Sequence, residues 1–169
     1  RRGFWVKSFS TKRELRKWIP RIQKVNNEAF VDVWGYYPVD RAEIEMIGEQ
    51  LLLVSDPRLL KVVMKGDEIA GFAFVFPDLA DALRATQGRL WPLGWIRFLW
   101  DIRTTKKLLG NGVGLLPQHQ GMGTSALLYT ALHDTLRSRD VDYVELVQAM
   151  ETNIKSLGDM NMLGVHWHK

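Results

Sequence analysis

Apolar residues recur at helical steps in some stretches and crowd into strand-like runs in others. Leu15, Trp18, Ile19, Ile22 and Val25 follow one another at steps of three and four, the period of a helix with one buried face. Ser10 or Thr11 precedes them as an N-cap, and Pro20 is expected to kink or divide the helix. Asp40 opens a second helix through Ile44, Ile47 and Leu51. Phe4 to Phe9 reads as a short strand. Leu59 to Lys65 and Glu68 to Phe76 are strand-like and joined by Gly66-Asp67, which predicts a hairpin.

The second half is less regular. Residues 79 to 107 start as a helical pattern and then hold the cluster Trp91-Pro92-Leu93-Gly94-Trp95-Ile96-Arg97-Phe98-Leu99-Trp100. Pro92 and Gly94 suggest a turn inside it. The cluster is expected to pack against the sheet, or else to line an apolar groove with Phe72 or Phe74; Arg97 argues against complete burial. A glycine-rich strand, Leu108 to Leu116, runs into Pro117 and a polar glycine turn. A helix follows from Gly123 to Arg139, a strand from Tyr143 to Met150 and a helix from Thr152 to Leu163; Val165 to Lys169 begin another strand. Mostly antiparallel strands with helices between them make residues 1–169 a single mixed α/β (α+β) domain.

Composition narrows the function classes. A chain of 169 residues that is 46% hydrophobic can bury one core. No apolar run reaches the roughly 18 residues of a membrane span. The start has no signal-peptide core and no initiator Met, so it is read as a cut from a longer chain, and a cytoplasmic location is expected. The absence of cysteine excludes disulfides, thiolate metal sites and a cysteine nucleophile. The net charge of +4 is scattered rather than blocked, which suits an anionic cofactor; no nucleic-acid motif accompanies it, so no nucleic-acid partner is expected. His166 and His168 alternate, but two ligands are too few for a metal, and none is expected. The oligomeric state stays open, with a homodimer among the options.

The stretch with the most chemistry is Leu115-Leu116-Pro117-Gln118-His119-Gln120-Gly121-Met122-Gly123-Thr124-Ser125. A strand enters a turn with two glycines, and an amphipathic helix leaves it. Such a turn offers unpaired backbone N–H groups at the positive end of a helix dipole, an anion site suited to a pyrophosphate. Thr124 and Ser125 add hydroxyl donors. The bland reading is a tight strand-to-helix connection. The Gly-Lys-Ser/Thr ending of a nucleotide phosphate loop is missing, and so are the three spaced glycines of a dinucleotide fold.

This segment resembles the acetyl-CoA motif of the GNAT superfamily, Gln/Arg-x-x-Gly-x-Gly/Ala. Gln120 takes the first position, Gly123 the central glycine and Ser125 the last, with Pro117 three residues ahead. Downstream, Asn153-Ile154-Lys155-Ser156, then Met160, then Leu163-Gly164-Val165 are similar to the family's Asn-x-x-Ala…Tyr…Leu-Gly-Phe segment. A narrower likeness, through Asn26-Asn27-Glu28-Ala29-Phe30, Trp34-Gly35-Tyr36-Tyr37-Pro38, Phe76-Pro77-Asp78 and Gly88 to Gly94, is to larger bacterial GNAT-like proteins of poorly defined activity. The resemblance implies a GNAT fold, with helices on both faces of the sheet and central strands that splay apart. It implies an acyl-CoA co-substrate, acetyl-CoA first. Gln120, Gly121, Met122, Gly123, Thr124 and Ser125 would cradle the pyrophosphate. Leu115, with Leu116 and Pro117, would meet the pantetheine arm through its backbone, and Asn153 would fix the loop or contact CoA. The family's last two strands are missing or barely begun.

The implied reaction is direct attack of a primary amine on the thioester, for which a base must remove a proton. Glu145, flanked by apolar residues in a strand covered on both faces, must be paired or have a raised pKa if buried, and is a candidate; Glu151 near the strand end is another. A structural ion pair or a solvent-facing edge position is the plainer reading. His119 is expected to face solvent, and His133 to lie on an exposed helix face. Met160 stands where the family's proton-donating tyrosine usually is, and a thioether donates no proton. That departure keeps two rivals open: a non-catalytic module for acyl-CoA or acyl-carrier protein, and a long-chain acyltransferase acting on a lipid or amino-acid amine.

Overall fold

Successive residues of one strand face opposite cores. Val62 and Met64 join Phe9, Leu15, Ile22, Val25, Leu52 and Phe72 in one buried cluster. Val63, between them, joins Phe4, Ala73, Val75, Leu108, Leu128 and Leu132 in another. A strand whose alternate side chains are all apolar must be covered on both faces, and that requirement sets the layers. The computed structural model describes residues 3–31, 33, 35–38, 40–87, 89, 91–146 and 153–168, with residues 41, 44 and 45 as backbone.

The sheet holds β1 (Phe4–Ser8), β2 (Leu60–Lys65), β3 (Glu68–Pro77), β4 (Lys107–Leu115) and β5 (Tyr143–Leu146), side by side in chain order. The first four run antiparallel, and β5 lies parallel to β4. One face is covered by α1 (Lys12–Phe30), with α2 (Arg41–Val54) beside it, and the other by α5 (Thr124–Arg137). Two short helices, α3 (Ala80–Thr86) and α4 (Gly94–Thr104), pack on each other between β3 and β4. The helix α6 (Ile154–Met162) closes the described chain. This is the mixed, mostly antiparallel sheet with helices on both faces that the sequence implied.

The predicted caps form. Thr11 Oγ1 accepts from Glu14 N at 3.2 Å, and Asp40 and Glu43 make a reciprocal capping box at the start of α2. Pro20, by contrast, does not divide α1, which runs unbroken through it. A proline inside a helix costs about 3 kcal/mol. Leu15, Ile22 and Val25, on both sides of it, are buried in the same cluster, and that packing outweighs the lost bond.

Two other expectations are corrected. Val165 to His168 form no strand. The tryptophan cluster neither packs on the sheet nor lines a groove with Phe72 or Phe74: Trp91 is 85% exposed, Trp100 68% and Trp95 47%. Only Ile102, buried, and Phe98, half-buried, point inward from α4. They stand four residues apart, a stripe too narrow to bring the tryptophans in as well.

Asp56, just past α2, ties the two layers together. Its carboxylate accepts from Arg58 N at 2.9 Å and from the Arg58 guanidinium at 2.8 Å. It also pairs with Arg139, just beyond α5 on the other face. Burial pushes the Asp56 carboxyl up, but the Arg58 hydrogen bonds and the charges of Arg139 and Arg58 outweigh it and hold it at about 2. A depressed carboxyl contributes stability above its unfolded value near 3.8 and loses it as pH falls through 2. Wild type is therefore expected to exceed Asp56→Asn by ~1–2 kcal/mol in urea unfolding at pH 7. The gap should narrow below pH 4 and be largely gone at pH 2; a gap that stays constant with pH would contradict this assignment.

Candidate acyl-CoA site

The two edges of β4 have different surroundings. One edge pairs with β3 from Leu108 to Leu115, interrupted by a bulge: Ala73 faces Val113 and Val75 faces Gly110, so Asn111 and Gly112 together oppose Phe74. The other edge pairs with β5 only from Lys107↔Tyr143 to Gly110↔Leu146. No described residue of β5 stands opposite Asn111 to Leu115. The bond from Leu116 N to Ala70 O, 3.0 Å, sets the phase of the antiparallel ladder. Leu116 and Gly114 turn their polar backbone groups to β3, so Val113 and Leu115 turn theirs away from it. The Leu115 carbonyl accepts from Gln120 Nε2 at 3.2 Å. The strand expected over Tyr143 to Met150 is seen as far as Leu146; residues 147–152, Glu151 among them, lie outside the described residues.

Beyond Leu116, residues Pro117–His119 make a tight turn that leads to Gly121 and Gly123. Both glycines have positive φ, +72° and +82°, and Gly123 is the N-cap of α5. An ideal Cβ on either would meet nothing within 4 Å. Glycine is needed here for backbone conformation, and the space in front of the turn is open. No side chain caps α5. The amides from Gly121 to Ala126 find no acceptor among the described residues, so the positive end of the α5 dipole faces that open space.

Side chains fasten the turn from beneath. Thr124, 1% exposed, donates from Oγ1 to His119 O at 2.8 Å. Its hydroxyl is therefore not the free donor that the sequence suggested, whereas Ser125 Oγ makes no hydrogen bond among the described residues. His119 is also corrected: it is buried, edge-on to Phe4 at 5.5 Å between ring centroids, with both ring nitrogens unpartnered among the described residues. Lys155, on α6, donates to Gln120 Oε1 at 2.8 Å and sets a cation beside the turn. Asn153 caps α6 by accepting from Ser156 N at 3.1 Å, so its side-chain oxygen holds the loop. Met160 is a buried residue of α6, and Met122 is exposed on the turn.

On the α1 side of the bulge lies a cavity of about 210 Å³, lined by Asn26, Phe30, Tyr36, Phe72, Phe74, Asn111 and Gly112. Gly114 carries no side chain because Phe72 fills the space; a Cβ there would come within 2.7 Å of that ring. Tyr36 is the phenol of the cavity wall. It receives a hydrogen bond from Asn26 Nδ2 at 2.8 Å and donates to Asn27 Oδ1 at 2.6 Å, and burial pushes its pKa up. Glu145 stands beside Leu109 in the β4–β5 pairing, exposed and with no hydrogen bond or ion pair among the described residues. The burial expected for it is missing because β5 is the edge strand of the described sheet. A second half-buried phenol, Tyr129 on α5, is pushed up to about 12 by burial and by the charge of Asp159 on α6.

Sequence reasoning missed Lys155, Tyr36 and the bulge as parts of one site. The run Gly110-Asn111-Gly112 was the available signal for the bulge, since isolated glycines in a strand mark such places. Among the described residues, no three His, Cys, Asp or Glu side chains gather where a metal could bind.

No protein-family model matches the chain. A possible acetyltransferase from Clostridium difficile superposes with a TM-score of 0.64 over 98% of this chain and 92% of its own, at 13% identity. A putative acetyltransferase from Salmonella typhimurium, solved with acetyl-CoA, gives 0.60 over 96% and 79%, at 18% identity. The aminoglycoside N-acetyltransferase AAC(6')-Iy in complex with CoA gives 0.62 over 98% and 90%, at 12% identity. The chain has the GNAT acetyltransferase fold. Two curated proteins are similar in sequence: a bacterial ceramide synthase from Caulobacter vibrioides, 29% identical over 85 residues, and protein YghO of Escherichia coli, 24% identical over 157 residues. The matched segments span 50% and 88% of this chain but only 22% and 40% of those relatives.

The conformation at Gly123 can be tested directly. Alanine in the left-handed region costs about 1–2 kcal/mol. Gly123→Ala should lose that much in urea unfolding and should weaken CoA binding in calorimetry. Unchanged stability would mean that the turn adopts another conformation.

Proposed function

We propose that the chain is an acyl-CoA-dependent N-acyltransferase domain that moves an acyl group to a primary amine. The observation that carries this reading is the glycine turn ahead of α5, whose amides from Gly121 to Ala126 find no acceptor among the described residues and which has the Lys155 ammonium beside it. The pyrophosphate would take the amides of Gly121 to Ala126, with Ser125 Oγ and the Lys155 ammonium beside it. The pantetheine amides would pair with Val113 and Leu115 as an added strand. That arm, running along β4 away from α5, carries the thioester toward the bulge.

The amine reaches the carbonyl carbon from the cavity on the α1 side. Its nitrogen forms the new C–N bond, and the carbonyl oxygen takes up negative charge beside the backbone of Asn111 and Gly112, which is the oxyanion site. Collapse breaks the C–S bond and releases CoA as the thiolate. One proton leaves the amine nitrogen and one reaches the thiolate sulfur. Glu145, on the face of the sheet that carries Leu109, is the acceptor of the first, directly or through water. Tyr36 replaces the missing tyrosine at Met160 as the donor of the second. With no cysteine in these 169 residues and no serine–histidine hydrogen bond among the described ones, the reading takes transfer as direct.

A second reading is favoured by the likeness to a ceramide synthase, a protein whose product is a long-chain amide. It assigns the same chemistry to lipid-like substrates, and it draws on an apolar space enclosed by α1, α2 and the sheet.

The test is CoA release with a panel of amines. Glu145→Gln and Tyr36→Phe are each expected to lower kcat/KM by about 10²-fold or more. Wild-type rates from both variants would assign the protons to water. Tight acyl-CoA binding with no CoA release from any amine would make the domain a binding module.

A further inference from the structure

A cavity of about 250 Å³ lies between α1, α2 and the β2–β3 half of the sheet. Apolar cavities of about 150 Å³ stay dry and hold a benzene ring, so this one has room for more. Apolar residues make most of the wall, among them Leu15, Ile19, Leu51, Phe72, Phe74 and Phe76. Its polar members are largely engaged within the protein: Asn26 with Tyr36, and Asp56 with Arg58 and Arg139. Ser55 Oγ is the exception, buried without a partner among the described residues. A polar ligand would find few free partners there and would lose those it had in water.

The cavity is also long. It follows α1 from Leu15 to Asn26, about 16 Å at 1.5 Å per residue. At one end it adjoins the cavity at the bulge, because Asn26, Phe72 and Phe74 line both. Phe74 is only partly buried, and its ring stacks on Phe72 at 5.7 Å. A narrow, apolar space that starts beside the reacting carbonyl and runs under α1 has the shape of an extended alkyl chain.

We propose that this cavity is a binding site for an unbranched hydrocarbon chain belonging to one of the two substrates. The inference rests on the acyltransferase reading for its neighbour at the bulge, and it names a substrate class that this reading leaves open. The chain is either the acyl group of the thioester or the tail of the amine, since both meet at Asn111 and Gly112.

The experiment is calorimetric binding of acetyl-, butanoyl-, octanoyl-, dodecanoyl- and palmitoyl-CoA. A parallel arm titrates butylamine to hexadecylamine into the protein with acetyl-CoA present. In one of the two series, affinity is expected to rise up to about fourfold per added methylene and then to level off when the cavity is full. Leu51→Trp and Ile47→Trp narrow the space from α2 and should move that plateau to shorter chains, with acetyl-CoA affinity unchanged. A plateau in the acyl-CoA series assigns the chain to the donor, and one in the amine series assigns it to the acceptor. Equal affinity across both series, or a plateau that neither variant moves, overturns the inference and leaves the acyltransferase reading standing wherever acetyl-CoA binds. If CoA and acetyl-CoA fail to bind while a long-chain amine binds without them and is displaced by Leu51→Trp, the cavity assignment holds and the acyltransferase reading fails.

Discussion

A helix leaves its first amides without partners inside itself, and at α5 that requirement falls on the loop between β4 and the helix. No side chain caps α5, and the amides from Gly121 to Ala126 find no acceptor among the described residues. Gly121 and Gly123 hold positive φ there, with open space in front of them. Lys155 stands beside the turn through its bond to Gln120. Unpaired amides at the positive end of a helix dipole suit an anion.

That loop is held by contacts that leave its outer surface open. Thr124 bonds the His119 carbonyl, His119 packs on Phe4, and Gln120 reaches back to Leu115 while Lys155 reaches across to Gln120. Each of these uses a side chain so that the backbone amides stay unpaired. The opposite side of β4 works by removing side chains. Gly114 makes room for the Phe72 ring, and the bulge at Asn111 and Gly112 breaks the ladder beside it. Phe72, Phe74 and Phe76 then form a connected row of rings between the bulge and the space under α1.

Much of this is legible in the amino-acid sequence. The caps at Thr11 and Asp40, the hairpin at Gly66-Asp67 and the glycine turn ahead of α5 are local features, set by residues close in the chain. The departures have a common origin. The sequence suggests a free hydroxyl at Thr124, a solvent-facing His119, a break at Pro20, and a core or groove for the tryptophans of α4. Each depends on what occupies the neighbouring space once the chain has packed: the His119 carbonyl, Phe4, the cluster around Ile22, and the narrow Phe98–Ile102 stripe.

By itself the sequence determined the period of each element, the two glycines whose positive φ the turn requires, and the motif from Gln120 to Ser125. These are properties of short stretches, and local backbone sterics and spacing suffice to express them. Only the tertiary structure decided that Lys155 lies against Gln120, that Tyr36 faces the bulge, and that Glu145 stands exposed in β5. Those facts join residues tens of positions apart, and their geometry follows from how two apolar layers close on one sheet, which no stretch of the chain specifies alone.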